Sequence, residues 1–567
     1  MPRIHNRAAT PLPVLDHLHP VLNRVYSARG ITSPDDLELT LQTLLPYHSM
    51  SGISEAVAAL VPVVTQGRRL LVVGDFDADG ATSTAVALRA LAMMGATDVG
   101  YLVPNRFDFG YGLTPELVDV ARDMSPDLIM TVDNGIAALQ GVAAANAAGI
   151  PVVVTDHHLA GDQLPEALAI VNPNQPGCEF PSKAACGCTV VFYLMLALRA
   201  ELQRQGAFPA GAPNLAVLID LVALATVADV VPLDRNNRIL VEQGLRRIRA
   251  GQAQAGVRAL LQVSGRSAER ITAADFGFAL GPRINAAGRL DDMSLGIECL
   301  LTDDEQKALT IATELDAFNR ERRQIEQGMQ QEALALLDDS AVAPQERAGV
   351  CLWQENWHQG VIGILASRIK EKVYRPVIAF ASADNGELKG SARSIPGLHI
   401  RDALDLLDRR HPGLIVKFGG HAMAAGLTLR AGVFDEFAQA FDQVCRTLMS
   451  DDALEERIDT DGELRPAEFS LELAEQLRWG GPWGQGFPEP VFEGWFRLVQ
   501  QRIVGERHLK MVLQPRHSDL AMDAIWFNID TTAWPDYQRE EVHCVFQLDV
   551  NEFRGARTVQ LLIRHLE

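Results

Sequence analysis

Between residues 70 and 155 the sequence alternates in a way that few folds accept. Leu70-Leu71-Val72-Val73 is a short apolar run closed by Gly74, and a small-residue helical stretch follows over about 81–94. Further strand-like runs come at 98–104, 127–132 and 150–155, the last two separated by an Ala-rich helical stretch near 136–147. Apolar, β-branched runs of roughly four to eight residues bounded by turn formers read as strands buried on both faces. Strands alternating with helices imply a parallel, doubly wound sheet, and such sheets hold their ligands at the carboxyl ends of the strands.

Three of those ends carry acids. Asp75, Asp77 and Asp79 follow the first run, Asp133 ends the third, and Asp156-His157-His158 ends the fourth. Buried strand ends avoid carboxylates that lack a partner, so three such ends among four call for a cation. Asp75 to Gly80 imitates the opening of a calcium-binding EF-hand loop. The twelfth position of such a loop is Val86 instead of Glu, however, and the motif follows a strand instead of a helix. Carboxylates at strand ends suit Mg²⁺ or Mn²⁺, and an imidazole among them shifts the preference towards Mn²⁺. A lone His at a strand end reads as a satisfied core residue; beside four aspartates, His157 reads as a ligand. Two divalent ions need a bridging carboxylate with ligands on either side.

The rest of the chain is built differently. The first 65 residues read as short helices and turns packed on the first domain. Residues 302–338 read as one long polar helix with an apolar stripe, of the kind that joins domains. A second α/β unit occupies roughly 340–450, and five strand-like runs within 455–567 fit a small β-barrel. The expected division is 1–65, 66–300, a connecting helix 301–339, 340–450 and 455–567. Net charge is -21, which argues against a protein that coats duplex nucleic acid with a broad basic face. The charge is uneven: -13 over 1–340, +2 over 341–450 and -10 over 451–567. Arg outnumbers Lys 44 to 7, which suits bidentate phosphate contacts. No apolar segment opens the chain, and the longest near-apolar stretch, Asn214 to Val231, is broken by Asp220 and Asp229, so it reads as a buried helix. Cys178, Cys186 and Cys188 cluster without a further pair or His to complete a zinc set. A soluble, cytoplasmic, monomeric protein with no membrane attachment is expected.

In order and spacing, GDFDADG (74–80), VDNG (132–135) and DHH (156–158) resemble the DHH phosphoesterase superfamily. ATVADVVPL (225–233), GPRINAAGRL (281–290), GSARS (390–394) and GGHAMAAG (419–426) are similar to the RecJ-type single-strand-specific exonucleases in particular. The likeness runs from about residue 70 to the C-terminus. It implies an α/β fold: a parallel-sheet DHH domain, a long helix, a smaller α/β DHHA1 domain and a C-terminal OB-like β-barrel. It implies that Asp77, Asp79, Asp133, His157 and Asp229 are metal ligands, with Asp133 bridging two ions, Mn²⁺ or Mg²⁺. Asp75 stands where other members of the superfamily carry a His ligand. The same resemblance implies that Asp156 and His158 orient His157 and contact the scissile phosphate, and that Arg283 clamps the phosphate under attack. Asp220 is the alternative to Asp229 on the same apolar helix, although a spacing of nine residues sets the two on nearly opposite sides.

The same likeness implies that Ser391 and Arg393, with Arg106, hold a 5′-terminal phosphate, and that Asn285, Arg289, Gly419, Gly420 and His421 also meet the substrate. GGHAMAAG reads equally as a turn whose N–H groups approach a phosphate and as a tight strand-to-helix turn without a ligand. Trp495, Phe496, Trp526 and Phe527 are candidates for stacking on bases, though barrel aromatics are more often core. The implied activity is metal-dependent 5′→3′ hydrolysis of single-stranded DNA to 5′-mononucleotides in repair and recombination, alongside a single-stranded-DNA-binding protein and a RecQ-type helicase. Two other readings stay open. One is another phosphoesterase of the superfamily: an oligoribonuclease, a nucleotide phosphatase or a cyclic-dinucleotide phosphodiesterase. The other is a non-catalytic DNA-binding scaffold. The β-rich C-terminal hundred residues weigh against the first, and the complete set of motif acids against the second.

Overall fold

The apolar runs become strands β1 (Leu70–Val73), β2 (Val99–Leu102), β3 (Leu128–Val132) and β4 (Val152–Thr155). A fifth, β5 (Ala169–Val171), is only three residues long, too short for the pattern to announce. In this computed structural model, which describes every residue except 1, 8–11, 106–108, 110, 339–342, 344, 345, 384, 385, 431, 532 and 554, the five strands pair in parallel in the order β2-β1-β3-β4-β5. Every residue of β1, β3 and β4 is buried, as expected of strands covered on both faces. The strand order reverses between β1 and β3, and a doubly wound sheet opens its crevice at such a reversal.

The helix after β1 runs Ala78–Met93, three residues ahead of the expected start. Asp77 causes the difference: its side chain accepts from the Gly80 N–H at 3.0 Å and caps the helix, which draws Asp79 into the first turn. The apolar stretch near 214–231 divides into a 3-10 turn, Leu215–Leu218, and a helix, Ile219–Ala228. The N-terminal helices Pro20–Ser27 and Ile53–Gln66 bury Val21, Leu22 and Leu60 in the same core as Leu70 and Val72. Among the described residues no helix is long and apolar enough to cross a membrane.

The chain divides into two compact units. One comprises Asn6–Asp316 and Asp459–Glu567, the other Met1–His5 and Ala317–Ile458, and the division falls inside the helix Glu305–Asp338. The first unit also holds the C-terminal barrel. Strands β11 (Phe492–Val504), β12 (His508–Pro515), β13 (Met522–Trp526), β14 (Glu541–Phe553) and β15 (Ala556–Leu566) close in the order β11-β12-β13-β15-β14. Successive residues of a strand face opposite sides, so Trp495 is 42% exposed whereas Phe496 is 1% exposed and packs on Phe546. Phe496 is therefore barrel core and cannot stack on a base. Trp526 is half-buried, edge-on to Trp534, and Phe527 is exposed beside His508.

The second unit is a mixed sheet of β6 (Val350–Gln354), β7 (Val377–Ser382), β8 (Glu387–Arg393), β9 (Ile415–Gly420) and β10 (Ala424–Arg430), in the order β9-β10-β8-β7-β6. Only β6 and β7 pair in parallel. Phe380, Phe437 and Phe441 lie in its core. GGHAMAAG is a β-hairpin: the His421 N–H donates to the Ala424 carbonyl at 2.8 Å, and β9 returns as β10. The strand-to-helix reading is thus corrected, because the residues after Ala424 are ladder-paired on both sides.

Candidate metal centre

The acids at the ends of β1, β3 and β4 converge. Three groups of ligand atoms, each lying within 4.8 Å of one another, can be drawn from them: Asp75, Asp77 and Asp133; Asp79, His157 and Asp229; and Asp133, His157 and His158. Asp133 belongs to two of these groups and so stands between them. His157 Nε2 lies 3.1 Å from Asp133 Oδ1, 3.6 Å from Asp229 Oδ2 and 3.8 Å from Asp79 Oδ2.

Backbone contacts fix the direction of the Asp79 carboxylate and the placement of its neighbours. Asp79 is 1% exposed and accepts from the Gly187 N–H (2.7 Å) and the Cys188 N–H (2.9 Å) at the start of helix Gly187–Arg204. The close approach demands glycine: a Cβ on Gly187 would lie 2.6 Å from Asp133 Oδ1. Asp133 itself has a left-handed backbone, φ 62°, a conformation that Asp tolerates better than most residues. Its neighbour Asn134 donates to the carbonyls of Val73 (3.1 Å) and Val132 (2.9 Å), locking the ends of β1 and β3 together. Asp229 is the C-cap of helix Ile219–Ala228. Asp220, nine residues earlier, points elsewhere and accepts from the Gln254 and Leu221 N–H groups, so Asp229 is the acid of this helix that reaches the cluster.

The donor set fits divalent cations. Asp133 Oδ1 and Asp229 Oδ2 are buried and receive no hydrogen bond, a costly state for carboxylate oxygens unless a cation takes the place of the donor. Burial, reinforced by Asp77, pushes the Asp79 carboxyl up to about 6. Burial and the charge of Asp79 hold Asp133 and Asp229 well above the usual carboxylate range. Hard oxygen ligands with one imidazole match Mn²⁺ and Mg²⁺.

Asp156 organises the residues around His157. Its Oδ1 accepts from the backbone N–H groups of His157 (2.7 Å) and His158 (3.1 Å) and pairs with His158 Nδ1 at 2.7 Å, while Oδ2 accepts from the Ile136 N–H. Burial opposes the charge on both partners, but the contact between them prevails: Asp156 falls below its ordinary range and His158 rises to about 9. Asn172 and Asn174 donate to the carbonyls of His158 (2.9 Å) and His157 (2.6 Å). These two Asn, together with Tyr111, whose hydroxyl touches His158, escaped the sequence reading. The available signal was the VNPN turn (171–174) directly after β5.

The other expected site residues are placed as follows. Asn285 Oδ1 accepts from the Ala78 N–H at 2.8 Å, and a Cβ on Gly288 would lie 1.9 Å from the Phe76 carbonyl, so helix Gly281–Leu290 packs directly on the Asp75–Asp79 turn. Arg283 is 8% exposed and donates through Nε to Asp316 (2.9 Å) and through Nη1 to the Ala279 carbonyl (2.6 Å). Arg289 is half-buried in the last turn of the same helix. Arg106 lies outside the described residues.

In the second unit, Ser391 pairs across the sheet with Gly426, and Gly426 with Gly419, which leaves a row of backbone beside Ser391 with no side chains. A Cβ on Gly419 would meet nothing within 4 Å, and Gly420, φ 147°, turns the hairpin tip towards His421. Arg393 donates to Ser391 Oγ at 3.0 Å and to the Ala392 carbonyl at 2.8 Å. No described carboxylate pairs with it, and burial alone lowers its pKa. Gly363, in the first turn of helix Ile362–Val373, packs on both: a Cβ there would lie 2.8 Å from Arg393 Nη2 and 2.9 Å from Ser391 Oγ.

Comparison with known proteins agrees with this layout. The family models described as the DHH family N-terminal domain, the DHHA1 domain and the RecJ OB domain match residues 69–226, 346–447 and 460–565. The chain is 56% identical over 563 residues to the single-stranded-DNA-specific exonuclease RecJ of Dickeya dadantii (strain 3937), covering 99% of this chain and 97% of that one. It is 53% identical over 553 residues to the protein of the same description in Escherichia coli (strain K12), covering 97% and 96%. Among solved structures, RecJ of Thermus thermophilus in complex with Mn²⁺ matches with a TM-score of 0.83 at 30% identity, covering 100% of this chain and 79% of that one.

Proposed function

Because the chain belongs to the RecJ family of single-stranded-DNA-specific exonucleases, we propose that it hydrolyses single-stranded DNA from the 5′ end and releases 5′-mononucleotides. The observation that carries this reading is the pair of ligand sets around Asp133, with buried oxygens on Asp133 and Asp229 that receive no hydrogen bond. Asp75, Asp77 and Asp133 would hold one divalent ion, and Asp79, His157 and Asp229 the other. Two ions bound there supply the means to activate a water for in-line attack on phosphorus and to offset charge on the leaving oxygen.

The chain's own residues do the rest. Gly187 and Cys188 keep Asp79 from turning away, so the carboxylates need no rearrangement when the substrate arrives. His158 retains its proton near neutral pH because of Asp156, and presents a cationic imidazole to a phosphate oxygen. Arg283 is proposed as a further contact for the phosphate under attack, with Asp316 orienting it. Arg393, Ser391 and the bare row at Gly419 and Gly426 form the proposed seat of the 5′-terminal phosphate, joined by Gly420 and His421. A cation without a carboxylate beside backbone free of side chains is what a phosphate requires. Asn285 and Arg289 are proposed to support the strand near the metals. Phe527 is the exposed candidate proposed for stacking, whereas Trp495 already stacks on His543 (centroids 5.0 Å apart) and carries the Arg516 guanidinium over its ring at 4.5 Å.

The test is a digest of long 5′-phosphorylated single strands with Mn²⁺, followed as release of mononucleotides from 5′- and 3′-labelled ends. Release beginning at the 3′ end, or no mononucleotide at all, would sink the reading. We further propose that the enzyme acts as a monomer in the cytoplasm, in repair and recombination, beside a single-stranded-DNA-binding protein and a RecQ-type helicase. The family resemblance supports this last step.

A further inference from the structure

Two residues beside the metal cluster are placed as no packing argument requires. Val230 follows Asp229 directly, one residue past the C-cap of helix Ile219–Ala228, and its backbone is left-handed, φ 60°. Glycine or asparagine ordinarily takes that position, because a β-branched side chain crowds the backbone there. Burial does not compensate for the strain, since Val230 is 63% exposed while the next residue, Val231, is 9% exposed. A strained residue that persists beside a reactive site points to a contact with the substrate.

Tyr111 supplies the second observation. Its hydroxyl donates to the Asp133 carbonyl at 3.3 Å and lies 3.2 and 3.3 Å from the two ring nitrogens of His158. The ring, edge-on to Phe76 with centroids 6.2 Å apart, remains 49% exposed. An aromatic ring tied down by its hydroxyl and half exposed to solvent is a preformed surface for a base. Both residues end one chain of contacts: Asp229 to His157 (3.6 Å), His157 to His158 (ring centroids 4.4 Å apart), and His158 to Tyr111. The cluster is polar, but its rim at either end of that chain is apolar.

A nucleic-acid strand is polar along its phosphates and apolar on the faces of its bases. Those faces are stacked in a duplex and accessible in a single strand. We propose that Tyr111 and Val230 form a base-holding rim that seats one unstacked nucleobase beside the metal cluster, Tyr111 as the stacking face and Val230 as the apolar stop. The rim rests on the single-strand exonuclease reading and gives it a local means of rejecting paired bases.

The test measures binding apart from cleavage. A fluorescently labelled, 5′-phosphorylated tetranucleotide with non-hydrolysable phosphorothioate linkages is titrated in Mn²⁺ against the same strand made abasic at its first two positions. The full-length wild type, V230G, V230L and Y111S are compared by anisotropy. The wild type should bind the base-bearing strand about tenfold more tightly, the scale of one well-buried apolar contact. V230G and Y111S should bring that ratio close to one, and V230L, which keeps an apolar side chain, should preserve it within about twofold. V230G should also melt no lower than the wild type, since glycine relaxes the left-handed position. An unchanged base-to-abasic ratio in V230G and Y111S, or a lower melting temperature for V230G, would overturn the rim. Digestion of a natural strand by the wild type is scored separately: its absence would defeat the exonuclease reading, and the binding ratio would still decide the rim.

Discussion

At the carboxyl edge of the parallel sheet, Asp79, Asp133 and Asp229 crowd around His157 and Asp75 and Asp77 gather on Asp133, while two buried oxygens, on Asp133 and Asp229, receive no donor. In the mixed sheet of the other unit the arrangement is reversed: Arg393 is a half-buried cation with no described carboxylate, set beside a row from which glycines remove the side chains. The first region is an excess of negative charge held rigid by backbone N–H groups, the second an excess of positive charge made accessible by backbone without Cβ atoms. Each is destabilising alone and makes sense with a ligand of the opposite sign, a divalent cation in one and a phosphate in the other. The difference also resolves the net charge of -21. Part of that acidity is a candidate ligand set, and the one segment of positive balance, 341–450, contains the proposed phosphate seat.

Breaking the first region should have the largest effect. Asp133→Asn is expected to lower Mn²⁺-dependent nuclease activity by about a thousandfold or more, because it removes a ligand of one ion set and the carboxylate that lies 3.1 Å from His157 of the other. The same variant should lose the rise in melting temperature that Mn²⁺ gives the wild type, since a cation that binds only the folded state stabilises it. Breaking the second region should act on the substrate end instead. Arg393→Ala is expected to reduce the preference for a 5′-phosphate over a 5′-hydroxyl by about ten- to a hundredfold, the value of a charge-assisted contact. Equal loss on both ends would place Arg393 outside the phosphate seat.

Gly419→Val sharpens the comparison further. Open space surrounds the new side chain, so the protein should fold, and KM for 5′-phosphorylated strands should rise about three- to tenfold as the bare row fills. The smallest effect concerns Asp220, the acid that resembles a ligand by sequence. Burial pushes it up to about 6, against the pull of the Gln254 N–H and the charge of Arg247. Its folded pKa thus exceeds the unfolded value near 3.8, so the folded state holds the proton more tightly. The resulting stability is complete below that unfolded value and is lost as the pH rises from about 4 to about 6. In chemical denaturation, the stability of the wild type relative to Asp220→Asn should fall by about 3 kcal/mol across that window and stay flat above it. Metal-dependent cleavage should change little.

Much of what contiguous residues carry could be read before the fold was known. β1, β3 and β4 and the acids at their ends are legible because a buried parallel strand is a continuous apolar run and its ligands follow at once in the chain. The barrel strands were legible through a different local signal, buried and more exposed residues alternating along the run. The tertiary structure decided what depends on distant partners. Asp79 points inward because residues 187 and 188 approach it, 108 and 109 positions away, and Asn285 serves the Ala78 N–H across 207. It chose Asp229 over Asp220, put Phe496 inside the barrel and left Trp495 outside, and set Val230 and Tyr111 at the rim. A side chain's type is local, but its direction is set by whatever packs against it, and in this chain those partners come from far along the sequence.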